Sequence, residues 1–192
     1  AAKGEQEALY SLLAIKHLVY DTGECTMAEM IEALQSNWQG HEKLQAKARF
    51  KAPKYGQDDD AADAMAVQVM DLWCEETWKH RTVSTNRRFR PGMLSWNYWV
   101  GDGFILPASP DGRPKGRFLS NAICPSNGAD INGPTANANS VGKAMGGRAK
   151  DGEGDFRGYC SCLPNGASHT ITINPSLMRD PEHKEKFKAF LR

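Results

Sequence analysis

Leu9, Leu12, Leu13, Val19 and Tyr20 recur at near-helical spacing, and Asp21-Thr22-Gly23 supplies a stop, so the chain opens on a helix. Thr26 followed by Glu29 is a capping box. It predicts a second helix from Met27 to Trp38, with Met30, Ile31 and Leu34 inward. A third is expected over His41 to Phe50. Asp58-Asp59-Asp60 then places negative charge where a helix N-terminus favours it. The helix that follows carries Met65, Val69, Leu72, Trp73 and Thr77 and runs to His80.

After His80 the pattern changes. Thirteen of the 18 glycines and six of the ten prolines lie between Gly101 and Gly166, too many tight turns for a plain helical bundle. The apolar segments are short: Met93 to Val100, Phe104 to Leu106 and Phe118 to Ile123. Thr170, Thr172 and Asn174 alternate with Ile171 and Ile173, the period of a half-buried strand. Thr135 is expected to cap a short helix ending at Met145. Residues 148 to 158 are glycine-rich and charged, a surface loop. The predicted class is therefore α/β with long ordered loops: residues 1–80 mainly helical, and 81–192 strands, loops and short helices.

Charge and composition remove several function classes. Lys+Arg number 24 against 23 Asp+Glu, a formal net charge of +1, so no global field draws in nucleic acid or an anionic membrane. No apolar run approaches the roughly 20 residues that a membrane helix needs. The five cysteines form no disulfide framework, and Cys25 and Cys74 fall in helical stretches as small apolar residues. A reducing cytoplasm is the expected location. The chain begins Ala1-Ala2-Lys3-Gly4 and ends in an amphipathic stretch, Pro181 to Arg192, with no Gly or Asn to cap it. Both ends read as cuts, so an internal fragment of a longer protein is expected.

Candidate chemistry is sparse. Gly142-Lys143 lacks the earlier Gly and the following Ser or Thr of a phosphate loop; Asn137 and Ala144 stand there instead. Cys160-x-Cys162 with His169 and Cys124 matches no common zinc spacing, and packed thiols are favoured. Arg81, Arg87, Arg88 and Arg90 beside Phe89, Trp96, Tyr98 and Trp99 supply cation and aromatic together, the ingredients for single-stranded nucleic acid. The neutral total favours arginines meeting acidic neighbours. The acidic triplet at 58–60 reads as a solvated helix start, because adjacent side chains fan around the axis. Ser95-Trp-Asn-Tyr-Trp-Val100 suits either a core aromatic cluster or a mostly apolar ligand pocket. Asp111-Gly112-Arg113 is a strong turn signal in which a structural role is the default reading, with Asp111 and Arg113 able to pair across it.

Taken in order, the turns carry a resemblance. Ser109-Pro-Asp-Gly-Arg113, Gly116, Cys124-Pro-Ser-Asn-Gly-Ala-Asp130, Gly133-Pro-Thr-Ala136 and Asn139-Ser-Val141 resemble the glycyl radical enzymes of the pyruvate formate-lyase type. Ala52-Pro-Lys-Tyr-Gly56 and Asn174-Pro-Ser-Leu177 fit the same pattern. The resemblance implies part of a ten-stranded β/α barrel wrapped by helices. It also implies a thiyl-forming cysteine and a radical-storing glycine, both outside these 192 residues. No bound cofactor is implied. A separate activating enzyme, using S-adenosylmethionine and an iron–sulfur cluster, would install the radical. Homodimerisation, small accessory subunits and the substrates themselves would be the other partners.

Leu106-Pro-Ala-Ser109, Leu119-Ser-Asn-Ala-Ile-Cys124 and the tryptophan-rich segment look most like the fumarate-adding branch, the alkylsuccinate and benzylsuccinate synthases. By that resemblance Trp96 and Val100 line the substrate cavity, and the reaction adds a hydrocarbon, an n-alkane or toluene, to fumarate. Two alternatives stand beside it. One is another glycyl radical enzyme: a dehydratase, a C–N or C–S lyase, a formate acetyltransferase or an arylacetate decarboxylase. The other is a non-catalytic α/β ligand-binding module.

Overall fold

The computed structural model describes residues 5–89, 91–93, 98–145 and 167–191. Its elements run α1 (Glu5–Ile15), a π-helical turn (Lys16–Asp21), α2 (Met27–Gln35), α3 (Glu42–Phe50), α4 (Asp60–Lys79), α5 (Tyr98–Ile105) and α6 (Pro134–Met145). A 3₁₀ turn (Pro175–Met178) and α7 (Pro181–Phe190) follow.

The helix boundaries have local causes. Thr26 and Glu29 form the reciprocal capping box, each accepting from the other's backbone N–H. Asp59 caps α4 by accepting from the Ala62 N–H at 2.9 Å, and Asp180 caps α7. Helix α6 starts at Pro134, one residue before the expected Thr135, since a fixed φ and a missing N–H cost nothing at a first helical position. Helix α2 stops at Gln35, short of the expected Trp38. Asn37 and Trp38 take positive φ values of 53° and 68°, which turn the chain back and bury the indole at 1% exposure.

Three apolar clusters hold the elements together. In the first, Leu9, Tyr10 and Leu13 of α1 meet Ala62 and Ala66 of α4 and Ala144 of α6 around Tyr55. The second gathers Leu18, Cys25, Met30, Ala33, Trp38, Ala48 and Ala108. The third joins Met70 and Cys74 of α4 to Met93 and Ile123. Cys25 and Cys74 are thus buried as expected, but Cys25 stands in the bend before α2 and not in a helix. The Tyr10 hydroxyl ties the first cluster to the loops: it donates to the Tyr55 carbonyl at 2.7 Å and accepts from the Ser126 N–H at 3.0 Å.

Two expectations need correcting. The described residues contain no strand, only isolated bridges between Arg81 and Arg88 and between Met93 and Ala167, so the β part of the predicted α/β barrel is not shown. Residues 169–174 do alternate between half-buried and exposed, the strand period, but a strand requires a ladder partner, and among the described residues only the 93–167 bridge lies nearby. The segment expected as an apolar stretch beginning at Phe104 is instead the end of α5, whose glycines made it unlike a helix in sequence.

The acidic triplet is the solvent-exposed helix start expected from the sequence, with Asp60 95% exposed at its side chain, and it also meets a lysine. Lys143 of α6 lies 2.7 Å from Asp58, 2.7 Å from Asp60 and 3.3 Å from Asp63, which is 2% exposed. Asn139 donates to Asp58, and the Asp58 N–H donates to Ser140 Oγ. The lysine that failed as a phosphate-loop residue therefore fastens α6 to the start of α4. Among the described residues no helix is long and apolar enough to cross a membrane.

Candidate functional site

The loops between α5 and α6 fold back on α1 and form one wall of a cavity of about 860 Å3. Leu119, Asn121 and residues 124–128 supply this wall, Pro134, Thr135 and Asn137 the start of α6, and Thr170 to Asn174 the opposite side. Met178, Phe187 and Phe190 close it from below, and Trp99 of α5 stands at its edge, packed edge-on against Phe118 at 5.3 Å between ring centroids. The lining mixes amides and hydroxyls (Asn121, Asn137, Thr135, Thr170), the charged Asp130 and Lys186 and the imidazole of His183 with apolar side chains, a constitution suited to a small polar molecule.

Two side chains join the walls across long sequence distances. Cys124 accepts from the Thr170 N–H, with 3.1 Å between nitrogen and sulfur, and its thiol faces the Ser168 and Thr170 carbonyls. His169 and Asn137 meet at 2.8 Å between Nε2 and Oδ1. Burial holds the His169 imidazole below its ordinary pKa, so the neutral ring donates from Nε2–H to the amide oxygen. Cys124 and His169, whose spacing already argued against zinc, are here structural clasps. Among the described residues no three His, Cys, Asp or Glu side chains gather to hold a metal. Cys160 and Cys162 lie outside the described residues.

The second face of the same loop carries charge. Glu7 of α1 accepts from Ser120 N–H at 2.7 Å and Ser120 Oγ at 3.2 Å, and its other oxygen lies 3.6 Å from Arg113 Nε. Asp111 does not bridge to the Arg113 guanidinium across the turn. It accepts from Ser109 Oγ and the Arg113 N–H, while the guanidinium reaches the Pro107, Pro114 and Arg117 carbonyls. The Ser109–Arg113 motif is thereby a self-contained loop brace.

Burial, aided by the Asp111 charge, pushes the Glu7 carboxyl up from 4.5 to about 7, against Ser120 and Arg113. A raised carboxyl favours the fold while protonated; that contribution is present below pH 4.5 and is lost as pH rises through about 7. Glu7→Gln is therefore expected to gain on the wild type by roughly 2 kcal/mol between about pH 5 and pH 8.5. Urea unfolding at the two pH values measures it; a pH-independent difference would show that Glu7 stays ionised.

Of the residues assigned to the substrate site by resemblance, Trp96 lies outside the described residues. Val100 is half-buried on α5, where the cavity lining comes from its neighbour Trp99. In the basic run, Arg88 stacks over Trp78 and Arg81 donates to the Asn86 carbonyl, so neither is arrayed for a nucleic-acid backbone. The clasp residues Cys124, Asn137 and His169 had no sequence signal as a group, because 32 and 46 positions separate the partners.

A family model described as "Pyruvate formate lyase-like" matches residues 3–102. The trans-4-hydroxy-L-proline dehydratase of Clostridioides difficile is 36% identical over 133 residues, 69% of this chain and 17% of that protein. The isethionate sulfite-lyase of Nitratidesulfovibrio vulgaris is 38% identical over 134 residues, 66% of this chain and 15% of that one. Among solved structures, a glycyl radical enzyme from Archaeoglobus fulgidus superposes with a TM-score of 0.82 at 32% identity, over 98% of this chain and 22% of its own. The chain thus spans about a fifth or less of the length of these relatives.

Proposed function

This chain belongs to the pyruvate formate lyase-like family of glycyl radical enzymes, and from that premise we propose that it is part of a catalytic subunit that eliminates a leaving group from a small hydroxylated substrate. The carrying observation is the lining of the 860 Å3 cavity: polar side chains of Asn121, Thr135 and Thr170, with the charged Asp130 and Lys186, beside apolar ones. A substrate bearing hydroxyls is oriented by such groups, and leaving them unpaired around a hydrocarbon would cost about 1–3 kcal/mol apiece. The kinship with a hydroxyproline dehydratase and a sulfite-lyase supports the same class.

In this reading the thiyl cysteine and radical glycine come from other parts of the longer polypeptide, and a radical-installing activating enzyme is its partner. The residues of this chain position the substrate. The Cys124–Thr170 and Asn137–His169 clasps hold the two walls at fixed separation, so that substrate polar groups meet preset donors and acceptors. The phenyl rings of Phe187 and Phe190, stacked at 6.3 Å, supply an apolar part of the lining.

Addition of a hydrocarbon to fumarate is a second reading. It rests on Trp96 and its aromatic neighbours in sequence, and on the apolar part of the cavity, Ile171, Ile173 and Met178. The complete gene product, activated anaerobically until its glycyl radical is visible by electron paramagnetic resonance, separates the two. Turnover of 1,2-diols, hydroxyproline or isethionate is expected. Formation of a substituted succinate from fumarate plus hexane or toluene, with those substrates inert, would overturn the elimination reading.

A further inference from the structure

Behind the loop that walls the cavity lies a separate hollow of about 450 Å3, lined by Arg49, Lys54, Arg113 and Arg117 together with Glu7 and Asp111. Four cations thus surround one concavity against two carboxylates. For one of the two, Glu7, burial pushes the carboxyl up to about 7, which favours its neutral form.

The inner cations are spoken for. Lys54, 6% exposed, donates to the Ala48 carbonyl at 2.7 Å, and the Arg113 guanidinium to three loop carbonyls. The outer two differ. Among the described residues neither Arg49 nor Arg117 has a carboxylate partner; Arg49 stacks over the Phe50 ring at 5.4 Å, and the Arg117 guanidinium makes no hydrogen bond there. Arg49 is nonetheless held in place. Its Cγ occupies the space where Gly112 would carry a side chain, 2.4 Å from an ideal Cβ, so only glycine lets the arginine stem cross the turn. Gln45, one turn earlier on α3, secures that crossing by donating to the Gly112 carbonyl at 3.0 Å.

Like charges brought around a hollow repel unless something of opposite sign sits between them. Arginine forks match tetrahedral oxyanions in geometry as well as charge. We propose that this hollow binds a dianionic oxyanion, the phosphoryl group of a small phosphomonoester or free phosphate, between Arg49 and Arg117 over Lys54. The volume admits more than one phosphate ion, and Asn127 on the rim supplies a neutral side chain for the remainder of an ester. The ligand would rest against Ser126, Asn127 and Gly128, which also line the larger cavity, so the two sites share a wall.

The test uses the complete gene product, with equilibrium dialysis of inorganic phosphate and of glycerol 3-phosphate at constant ionic strength set by potassium chloride. Saturable 1:1 binding is expected, weakened roughly tenfold by Arg49→Gln and again by Arg117→Gln, and largely restored by the lysine variants. Both arginines are exposed, so unchanged melting temperatures will show that the glutamine variants fold. Glycerol 3-phosphate binding at least tenfold tighter assigns the site to an ester, and equal affinities assign it to the free ion. Absence of saturable binding overturns the proposal. So does binding that the double glutamine variant retains, and either result is independent of which reaction the enzyme performs.

Discussion

Lys143→Met is expected to destabilise the fold at pH 8, because it strips the counter-charge from the buried Asp63 carboxylate. Lys143 is the shared counter-charge of Asp58, Asp60 and Asp63, and of these Asp63 is nearly inaccessible. Burial already raises the Asp63 carboxyl above its ordinary value, with Lys143 and Ser140 pulling it down. Without the ammonium it rises further, and the variant's deficit grows as pH climbs past that raised value. The deficit should therefore shrink on acidification, as Asp63 takes up a proton and the uncompensated charge disappears. Adding Asp63→Asn should recover most of the loss at pH 8, because the amide needs no cation. Urea unfolding of wild type, Lys143→Met, Asp63→Asn and the double variant at about pH 5 and pH 8 forms the required cycle. A deficit equal at both pH values and unrelieved by Asp63→Asn would mean that Lys143 acts through its aliphatic stem.

Gly103→Val is expected to cost about 3 kcal/mol, at the upper end of overpacking penalties. Gly103 sits in α5 where the chain returns beside it: an ideal Cβ would lie 2.4 Å from the Arg117 carbonyl oxygen and 2.9 Å from Phe118 Cα. Both obstacles are backbone, so no side-chain rotation relieves them. The Gly103 carbonyl accepts from the Gly116 N–H and Trp99 O from the Leu119 N–H, so moving α5 away breaks two bonds at once. Trp99 and Leu119 line the cavity, and the same displacement should open it. Gly101, two residues away, has nothing within 4 Å of its ideal Cβ. Gly101→Ala is accordingly expected to be neutral or stabilising by a few tenths of a kcal/mol. Thermal melts of the two variants decide this: equal midpoints would show that the α5–loop contact yields readily.

The same contact explains part of what the sequence conceals. Two glycines in eight residues argue against a helix by propensity, yet one of them is present because a neighbouring backbone needs its space. Tertiary approach overrides propensity at Gly103, and nothing within 98–105 announces the partner at 117–118. Where the determinants are local the reading succeeds: Thr26 with Glu29 and the acidic triplet before α4 each mark a helix start within four residues. Trp38 exceeded that reach, because its burial is satisfied only by a left-handed turn that periodicity cannot express. The 169–174 alternation was legible as a strand pattern, but a pattern specifies which side chains face inward, not the ladder. The cavity had the weakest signature. Its walls are paired by Cys124 with Thr170 and Asn137 with His169, residue types unremarkable in isolation. The family, by contrast, was visible as an ordered succession of turns, and the structure shows why: Ser109–Arg113, Cys124–Ala129 and Gly133 onward are the braces that connect α1, α3 and α6.

The π-helical turn at Lys16–Asp21 has a further consequence. Upstream of it, Leu9, Tyr10 and Leu13 point into the Tyr55 cluster; within it, Leu18 points into the Trp38 cluster. The wider winding re-indexes the apolar stripe between two destinations. One continuous run of helix thereby serves two separate apolar clusters, with the change of face made inside six residues.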